Sequence, residues 1–455
     1  MEYPGFLEEH LTTPVAGDYD VVVVGGGASG AVAAIAAARN GANTLLLERG
    51  ACLGGTATAS LVAQWVAFFL GDTQVVRGIP EELTRRVCGK GGSDGFHRYV
   101  MGEAAGTPFP LKVFPFNPEI VKIVLDEAAA DAGVDVRFHN FFARPVMEGS
   151  RVGGVVTESV DGRRAFRAAA VVDASGDAAV CAAAGVRCDG ESMAERHERQ
   201  PCTLSFRLSN VDVARFRTVP SAERRRLVLG GLERGELYWE SISFVSTPSG
   251  YDAICLMSRI RGVDALSNAE LSRAEVTGRQ QVQSIVRFLN REIPGFEKAI
   301  LAGLAERVGV RETRRIQGDY CLTEDDIMNG TAFEDSIALG AGPMDVHSPG
   351  STGIRLYAPP KPFEIPLRTL LPAGVEGMLA SGRNLCTTRE ANAGTRHMAT
   401  CMAIGQAVGT LAAIAAASGR TPRAVPVSEL QRALARDGAL VRRADVERRD
   451  AAPAG

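Results

Sequence analysis

The sequence contains no CxxC pair, although nine cysteines are scattered along its 455 residues. Cysteines without a regular framework are typical of a reducing compartment and argue against a disulfide-stabilised protein or a redox dithiol. The six histidines show no ligand-like spacing with the cysteines, so we expect no bound metal. A cytoplasmic location is the simplest expectation.

Charge of one sign and long apolar runs are missing as well. The 50 basic and 53 acidic side chains are interspersed and give a formal net charge of −3. Such a chain has no global field that attracts nucleic acid or an anionic membrane. No stretch approaches about 18 uninterrupted apolar residues, the length of a membrane span, and the N-terminus lacks a basic region followed by a long apolar run. We expect a small-molecule partner, no nucleic acid and no membrane, and a homo-oligomer stays open.

A βαβ unit is present near the N-terminus. Residues 18–24 form a β-branched run typical of a strand that is buried on both faces of a parallel sheet. The Ala-rich segment 29–40 predicts a helix, and the apolar run 43–47 predicts a second strand. This order is the beginning of a dinucleotide-binding domain.

Three glycines follow the first strand with GxGxxG spacing. Gly25 permits the turn, Gly27 lets the backbone approach a pyrophosphate, and Gly30 lets the helix pack closely. Glu48 ends the second strand, where a carboxylate accepts the ribose hydroxyls. Further predicted cofactor contacts in this unit are Ala28, Ser29 and Arg49.

The segment after the second strand favours FAD over NAD. Gly54, Gly55 and Thr56 allow the chain to pass close to a pyrophosphate and an extended flavin. A glycine-acid turn after a later strand is typical of the second nucleotide contact of flavoproteins. Its predicted contacts are Asp173, Gly176 and Asp177. The cofactor predicted by these segments is FAD.

The remaining pattern predicts an α/β fold with a Rossmann-like FAD-binding domain, which has a parallel sheet, helices and a β-meander, and an inserted α+β substrate domain. Predicted helices cover 117–133, 268–291 and 398–417, with a strand over 134–138, a hairpin over 146–172 and strands over 203–208 and 254–260. The expected domains are 18–190 and 363–420 for FAD, 191–362 for the substrate, and a peripheral tail over 421–455. Frequent alanine, glycine and arginine indicate a GC-rich bacterial gene.

The chain resembles FAD-dependent oxidoreductases of the glutathione-reductase-like superfamily, among the wider relatives of succinate dehydrogenase flavoproteins. The resemblance is carried by VRETRRIQGDY at 310–320, LTEDD at 322–326, DVH at 345–347, IPLR at 365–368, SGRN at 381–384 and GTRHM at 394–398. It implies FAD binding and redox chemistry, and it leaves the substrate open. From these motifs we predict cofactor contacts by Gly382, Arg383, Asn384 and Met398. Relatives carry an aliphatic residue at the position of His397.

Two candidates for substrate chemistry lie in the middle of the chain. Arg314 either contacts the flavin or an anionic substrate, or belongs to an arginine-rich segment that holds nearby carboxylates. His347 lies in the Pro/Gly-rich loop 343–353, where it is either a proton-transfer residue or a histidine hydrogen-bonded to backbone.

The segment 389–398 is predicted to contact the isoalloxazine ring. Gly394 and Thr395 are expected to begin the last helix, with Gly405 and Gly409 packing it closely on the nucleotide domain. Its N-terminal N–H groups suit the flavin carbonyl where negative charge grows on reduction. His397 is expected to transfer a proton and Arg396 to bind an anion, or both pair with acids such as Glu390.

These features predict hydride removal from a small organic substrate onto the flavin, with oxygen or another electron acceptor regenerating FAD. A second GxGxxG unit for NAD(P)H is missing from the sequence. One alternative is a flavin-dependent monooxygenase that hydroxylates its substrate. Another is a non-catalytic flavoprotein in which FAD stabilises a binding module.

Overall fold

A computed structural model describes residues 5, 7–101, 109–189, 198–347, 350 and 354–450. Its strands are Val15–Val24, Thr44–Leu47, Gln64–Trp65, Phe69–Leu70, Thr73–Gln74, His97–Met101, Phe109–Pro115, Asp135–Arg137, Phe141–Glu148, Arg151–Ser159, Gly162–Asp173, Cys188–Asp189, Phe206–Ser209, Phe244–Ser246, Ala253–Cys255, Ile300–Leu304, Arg315–Ile316, Ser336–Gly340, Met344–His347, Ile354–Tyr357, Phe363–Pro366 and Met378–Ala380. Its α-helices are Ala28–Arg39, Ile79–Gly89, Pro118–Ala132, Ala179–Ala183, Val213–Thr218, Ser221–Glu233, Asn268–Glu292, Glu324–Asn329, Arg389–Thr395, Met398–Ser418, Val427–Arg436 and Arg443–Asp450. Short 3-10 helices cover Leu367–Thr369 and Pro422–Ala424.

The main sheet has a parallel half and an antiparallel half. Val15–Val24 pairs in parallel with Thr44–Leu47 on one side and with Gly162–Asp173 on the other. The sheet continues in parallel from Thr44–Leu47 to Asp135–Arg137, and Met378–Ala380 pairs in parallel with the end of Gly162–Asp173. The other half is an antiparallel meander formed by the successive strands Phe141–Glu148, Arg151–Ser159 and Gly162–Asp173. The predicted Rossmann-like sheet with a β-meander is confirmed.

The first strand and helix follow the pattern read from the sequence. Val21, Val22 and Val23 are completely buried, as expected of a strand covered on both faces. The first helix, Ala28–Arg39, is buried along nearly all its length because small side chains allow close neighbours on every side. The carboxyl ends of the parallel strands therefore lie at the N-terminus of this helix, where nucleotides bind in such sheets.

A second core lies between residues 202 and 308. The strands Phe206–Ser209, Phe244–Ser246, Ala253–Cys255 and Ile300–Leu304 form an antiparallel sheet, and its core includes side chains of the helix Asn268–Glu292. The predicted strand over 254–260 is shorter than expected. At residues 258 and 259, side chains take part in the hydrogen bonds instead of strand backbone alone. The Ser258 hydroxyl accepts the Leu204 N–H and donates to the Leu204 carbonyl oxygen, and the Gln281 side chain accepts the Arg259 N–H at 2.8 Å.

The long helix Met398–Ser418 belongs to the core that packs on the main sheet. A Cβ on Gly405 would lie 2.2 Å from the Ser29 carbonyl oxygen, and one on Gly409 would lie 2.0 Å from that of Ala33. Both glycines thus let this helix contact the first helix directly, as predicted. The helix is apolar and long enough to span a membrane, but 83% of its most apolar window is buried in the protein. This burial is typical of the core helix of a globular fold.

The segment after residue 420 packs on the core instead of lying at the periphery. Leu430 and Leu434 of the helix Val427–Arg436 are completely buried, because its apolar side chains complete the cluster around the long helix. The tail expectation therefore fails for this part, and residues 451–455 lie outside the described residues. The predicted boundary at 190 also lies outside them, and the division into domains stays a prediction.

Candidate functional site

The turn after the first strand requires glycine at two positions. Gly25 has φ of +100°, and a Cβ there would lie 2.5 Å from the Ala174 carbonyl oxygen. A Cβ on Gly30 would lie 1.8 Å from the Gly25 carbonyl oxygen. The strand, the turn and the helix can be this close only without side chains at these positions.

The N-terminus of the first helix faces a cavity. Gly27 is the N-cap, and no side chain caps this helix end. A Cβ on Gly27 would meet no atom within 4 Å. Uncapped N–H groups and the positive end of the helix dipole make such a terminus an anion site. Ser29 reaches the far wall, where its hydroxyl lies 2.6 Å from that of Ser381.

The Glu48 carboxylate is buried at the end of the second strand, with 3% of the residue exposed. It accepts the backbone N–H groups of Gly26 and Gly50, each at 2.7 Å. Each carboxylate oxygen has a further lone pair. Glu48 can therefore accept ribose hydroxyls without losing its backbone partners.

A second turn closes the opposite side of this cavity. The Arg383 guanidinium donates to the Gly176 carbonyl oxygen at 2.6 Å and to an Asp177 oxygen at 2.8 Å. Arg49 lies 3.7 Å from the other Asp177 oxygen. These contacts tie three separate segments of the chain together around one carboxylate.

Asp173 holds this turn from behind instead of facing the cavity. Its carboxylate is completely buried and accepts the backbone N–H groups of Ser175 at 3.1 Å and Cys181 at 2.9 Å. The Asn384 side chain donates to the Asp173 carbonyl oxygen at 3.1 Å. Both residues therefore position the turn, which differs from the direct contact predicted for them.

The cavity enclosed by these segments has a volume of about 290 Å³. Thirteen of the predicted cofactor residues line it: Gly25, Gly27, Ala28, Ser29, Glu48, Arg49, Gly55, Thr56, Gly176, Asp177, Gly382, Arg383 and Met398. The other four, Gly30, Gly54, Asp173 and Asn384, lie behind its wall. An uncapped helix N-terminus, open space at Gly27 and a buried carboxylate with spare acceptors fit the phosphates and ribose of FAD.

A second cavity of about 200 Å³ adjoins the first. Five residues line both cavities: Thr56, Val310, Arg383, Arg396 and Met398. The second cavity extends to the segment between residues 202 and 308, from which Trp239 and Leu256 form part of its apolar wall. A group bound in the first cavity and a molecule in the second can therefore meet at the shared residues.

His347, one of the predicted catalytic residues, lines the second cavity. Its Nε2 atom lies 3.0 and 3.3 Å from the two carboxylate oxygens of Asp345. Burial and the nearby Arg311 lower the pKa of His347 to about 3, so the ring is neutral at neutral pH. Burial acts to raise the pKa of Asp345, but His347 and Arg396 reverse this effect and hold it well below its usual range.

Arg396 and His397 also line this cavity, and contact between the segment 389–398 and the flavin ring stays a prediction. Arg396 donates to Asp345, 3.2 Å from its carboxylate and 2.8 Å from its carbonyl oxygen. The His397 Nε2 atom lies 2.9 Å from the Pro343 carbonyl oxygen. Burial and Arg396 lower the pKa of His397 to about 4. The acid that pairs with Arg396 is thus Asp345 and not Glu390.

The long helix begins at Met398, in agreement with the helix predicted over 398–417, but Gly394 and Thr395 do not begin it. Gly394 and Thr395 end a separate helix, Arg389–Thr395, which the Thr388 hydroxyl caps at its start. The long helix starts at Met398 with His397 as its N-cap, and no side chain caps it. The cause is the cap at Thr388, because it begins the separate helix before the chain reaches Gly394. The uncapped N-terminus still faces the junction of the two cavities, because Met398 lines both.

Arg314 is not among the residues that line either cavity. It lies 3.4 Å from the Asp177 carbonyl oxygen, and the preceding Thr313 hydroxyl bonds the same turn at Gly176. Two carboxylates near this arginine-rich segment pair with arginines outside it: Glu312 lies 3.3 Å from Arg389, and Asp319 pairs with Arg423. A direct substrate contact by Arg314 is therefore not supported by its position.

The sequence reading missed several residues of the second cavity, namely Tyr99, Trp239, Arg259, Arg311 and Asp345. Only Asp345 and Arg311 stand in motifs that the sequence singled out. Arg259 and Trp239 had no local signal, because they lie outside the helices and strands. Among the described residues, no group of three or more His, Cys, Asp or Glu side chains could hold a metal, and metal independence stays a prediction.

A wider cavity of about 880 Å³ adjoins the second cavity through Gln64, Tyr99 and Ser241. None of the predicted site residues lines it. Its wall includes exposed residues of the strand His97–Met101. Size alone does not make it the site, because the polar groups converge in the two smaller cavities.

Comparison with known proteins agrees with this geometry. The sequence profile of a family described as FAD dependent oxidoreductase matches residues 20–434. No curated protein sequence matches the chain significantly. Among solved structures, a geranylgeranyl bacteriochlorophyll reductase-like protein from Thermoplasma acidophilum has 16% identity and a TM-score of 0.51, covering 93% of this chain and 84% of its own. The p-nitrophenol 4-monooxygenase of Pseudomonas putida has 13% identity and a TM-score of 0.46, covering 92% and 84%. The first of these likenesses shows the fold, and the family match shows the cofactor: the chain belongs to the FAD-dependent oxidoreductases and binds FAD.

Proposed function

We propose that the protein oxidises a small organic substrate by removing a hydride from it in the second cavity. The observation that carries this proposal is the junction of the two cavities at Thr56, Val310, Arg383, Arg396 and Met398. Bound FAD supplies the hydride acceptor for such an oxidation. A substrate enclosed among Trp239 and its neighbours would lie next to that junction.

His347 is the best-placed proton acceptor. The ionised Asp345 carboxylate holds the proton on Nε2, so Nδ1 carries the lone pair. Nδ1 is buried without a hydrogen-bond partner in the described part of the chain. Loss of hydride from a substrate carbon requires loss of a proton from the neighbouring oxygen or nitrogen. His347 accepts that proton, and Asp345 stabilises the imidazolium that forms.

Arg396 and His397 shape the end of the cavity beside the cofactor. Arg396 fixes Asp345 through its carboxylate and its carbonyl oxygen, so it orients the Asp345–His347 pair. His397 is anchored to Pro343 and stands at the uncapped helix N-terminus. The positive end of that helix stabilises negative charge at the cofactor. These are the roles we propose for both residues.

Anaerobic titration of the purified holoprotein with a panel of small alcohols, amines and organic acids tests this function. We expect at least one compound to bleach the flavin stoichiometrically, with oxygen or another acceptor restoring its absorbance. His347→Gln should slow this reduction by about 10²- to 10⁴-fold and keep FAD bound. His10→Gln, at an exposed position that lines neither cavity, is the matched control and should keep the wild-type rate.

Two results would replace this function with another. Bleaching by NAD(P)H that the organic compound only accelerates would indicate the hydroxylase. A flavin that dithionite reduces but no compound in the panel reduces would indicate a non-catalytic flavoprotein. An equal loss of rate in the His347 and His10 variants would remove the proposed base.

The compartment and the domain division are part of the same proposal. The nine cysteines are free, which suits the reducing cytoplasm.

We place FAD on 18–190 and 363–420 and the substrate mainly on 191–362. Trp239 and Arg259 of the second cavity belong to the latter segment.

A further inference from the structure

The second cavity carries an excess of positive charge. Four guanidinium groups line it, from Arg259, Arg311, Arg383 and Arg396, and Asp345 is the one carboxylate among its described lining residues. His347 and His397, with pKa values lowered to about 3 and about 4 by burial and neighbouring arginines, are neutral at neutral pH. The charge of the lining therefore does not balance.

Two of these arginines have carboxylate partners. Arg383 lies 2.8 Å from Asp177, and Arg396 lies 3.2 Å from Asp345. Arg259 and Arg311 form no ion pair within the described residues, which leaves both positive charges without a counter-ion. Asp345 offsets part of both charges, but the direct contacts of its carboxylate are with His347 and Arg396.

Neutral groups hold the two unpaired guanidiniums side by side. Arg259 and Arg311 both donate to the Thr203 hydroxyl, at 3.3 and 2.9 Å, and Arg311 also bonds the Pro201 carbonyl oxygen. The Arg259 guanidinium lies 3.7 Å from the Trp239 ring centre. Arg259 is a buried residue, with 5% exposed.

Such an arrangement is costly without a ligand. A buried charge without a partner loses its hydration and gains no Coulombic compensation. Burial and Arg396 lower the pKa of Arg311 to about 10, and burial and Arg311 lower that of Arg259 well below its usual range. Guanidinium groups nevertheless stay protonated in proteins, so an anion is the natural counterpart.

We infer that the substrate of the second cavity is a compact organic acid whose carboxylate binds between Arg259 and Arg311. Two planar guanidiniums match the two oxygens of a carboxylate. The body of the acid would contact Trp239, Leu256 and Ile354, which belong to the apolar part of the wall. The inference rests on the proposed function, because that function places the substrate in this cavity.

Binding of the acid would also prepare His347. Arg311 is the second cause of the low pKa of His347, after burial. A carboxylate beside Arg311 offsets that repulsion, so the pKa of His347 rises when substrate is present. The proton acceptor then becomes stronger in the complex than in the free enzyme.

Titration of the holoprotein with acetate, butyrate and benzoate, against acetamide, butyramide and benzamide, tests the inference. The readouts are the flavin absorbance difference and the melting temperature. We expect at least one acid to bind saturably and its amide, which has a similar shape but no charge, to bind at least about tenfold more weakly. Equal effects of every acid and its amide would overturn the inference.

Arg259→Met and Arg311→Met should each weaken binding of that acid by about 10- to 100-fold, because each removes hydrogen bonds to a charged group. Arg226→Met is the matched control at an exposed ion pair with Glu223, and it should bind as wild type. Neither cavity variant should melt below the wild type without ligand, because each removes an unpaired charge. If both variants fail to fold, the comparison of acids with amides in the wild type decides.

The outcome of the acid-binding experiments is independent of the outcome of the flavin-reduction experiments that test the proposed function. The probe acids need not be oxidised, so acid-selective binding without any bleaching substrate would support the charge assignment and leave the oxidation refuted. Bleaching by neutral compounds alone, without acid-selective binding, would support the oxidation and overturn the inference.

Discussion

Replacing two glycines of the first turn should separate cofactor binding from folding. Gly27 and Gly30 are three residues apart at the same helix N-terminus, but their surroundings are opposite. A Cβ on Gly27 meets no protein atom within 4 Å, whereas a Cβ on Gly30 lies 1.8 Å from a carbonyl oxygen. We therefore expect Gly27→Val to impair FAD binding and Gly30→Ala to impair the fold.

The magnitudes follow from these contacts. Gly27 has φ of −68° and ψ of −172°, which a β-branched residue adopts without strain. The free energy of unfolding of the Gly27→Val apoprotein should therefore lie within about 0.5 kcal/mol of the wild-type value. The valine methyl groups would occupy the space left for the pyrophosphate. Overlap of this kind costs about 1–3 kcal/mol, or about 5- to 150-fold in the Kd of FAD. Gly30→Ala should instead cost about 1–3 kcal/mol in the apoprotein, or more because backbone must move.

Urea unfolding of the apoproteins and fluorescence titration with FAD measure both quantities. We expect a crossed result: Gly27→Val loses affinity for FAD, and Gly30→Ala loses stability. Wild-type FAD affinity in Gly27→Val would show that no phosphate passes this residue. Wild-type stability of the Gly30→Ala apoprotein would show that the turn relaxes freely.

Two further predictions concern His397 and metals. Burial and Arg396 lower the pKa of His397 to about 4, below its unfolded value near 6.5, so its contribution to stability is full above pH 6.5 and is lost as pH falls toward 4. His397→Val should keep FAD bound. In that pH range it should also lower the number of protons taken up on urea unfolding by up to about one. An unchanged rate of flavin reduction across pH in this variant would exclude a catalytic role. Chelation by EDTA should leave flavin reduction undiminished, and activity restored by one equivalent of a divalent metal would contradict this.

Much of the FAD-binding half could be predicted from the sequence. The strand, turn, helix and second strand are contiguous, so glycine spacing, Ala content and the position of Glu48 report their geometry directly. The dinucleotide site was predicted from residues that stand close together in the chain, and the family from short motifs, each contiguous in sequence, between 310 and 398. The close approach of Gly405 and Gly409 was predictable for the same reason, because four residues span about one helical turn.

Predictions from strand ends were less complete. Asp173 and Asn384 stand in glycine-rich turns like those of cofactor contacts, but their side chains bind backbone from behind the cavity. Spacing shows that a residue is near a turn. Spacing does not show whether the Asp173 carboxylate faces the cavity or the protein interior, because its donors include a backbone N–H of the helix Ala179–Ala183 that follows.

The second cavity was decided by the tertiary structure. Trp239, Arg259, Arg311 and Asp345 come from four separate segments, and only their packing brings them beside Arg396. Whether a guanidinium is paired depends on which carboxylates lie within about 4 Å, and no local pattern reports this. The sequence alone determined that the protein holds a dinucleotide, because that motif folds from adjacent residues. The tertiary structure determined what faces the dinucleotide, because burial and charge balance are properties of residues far apart in the chain.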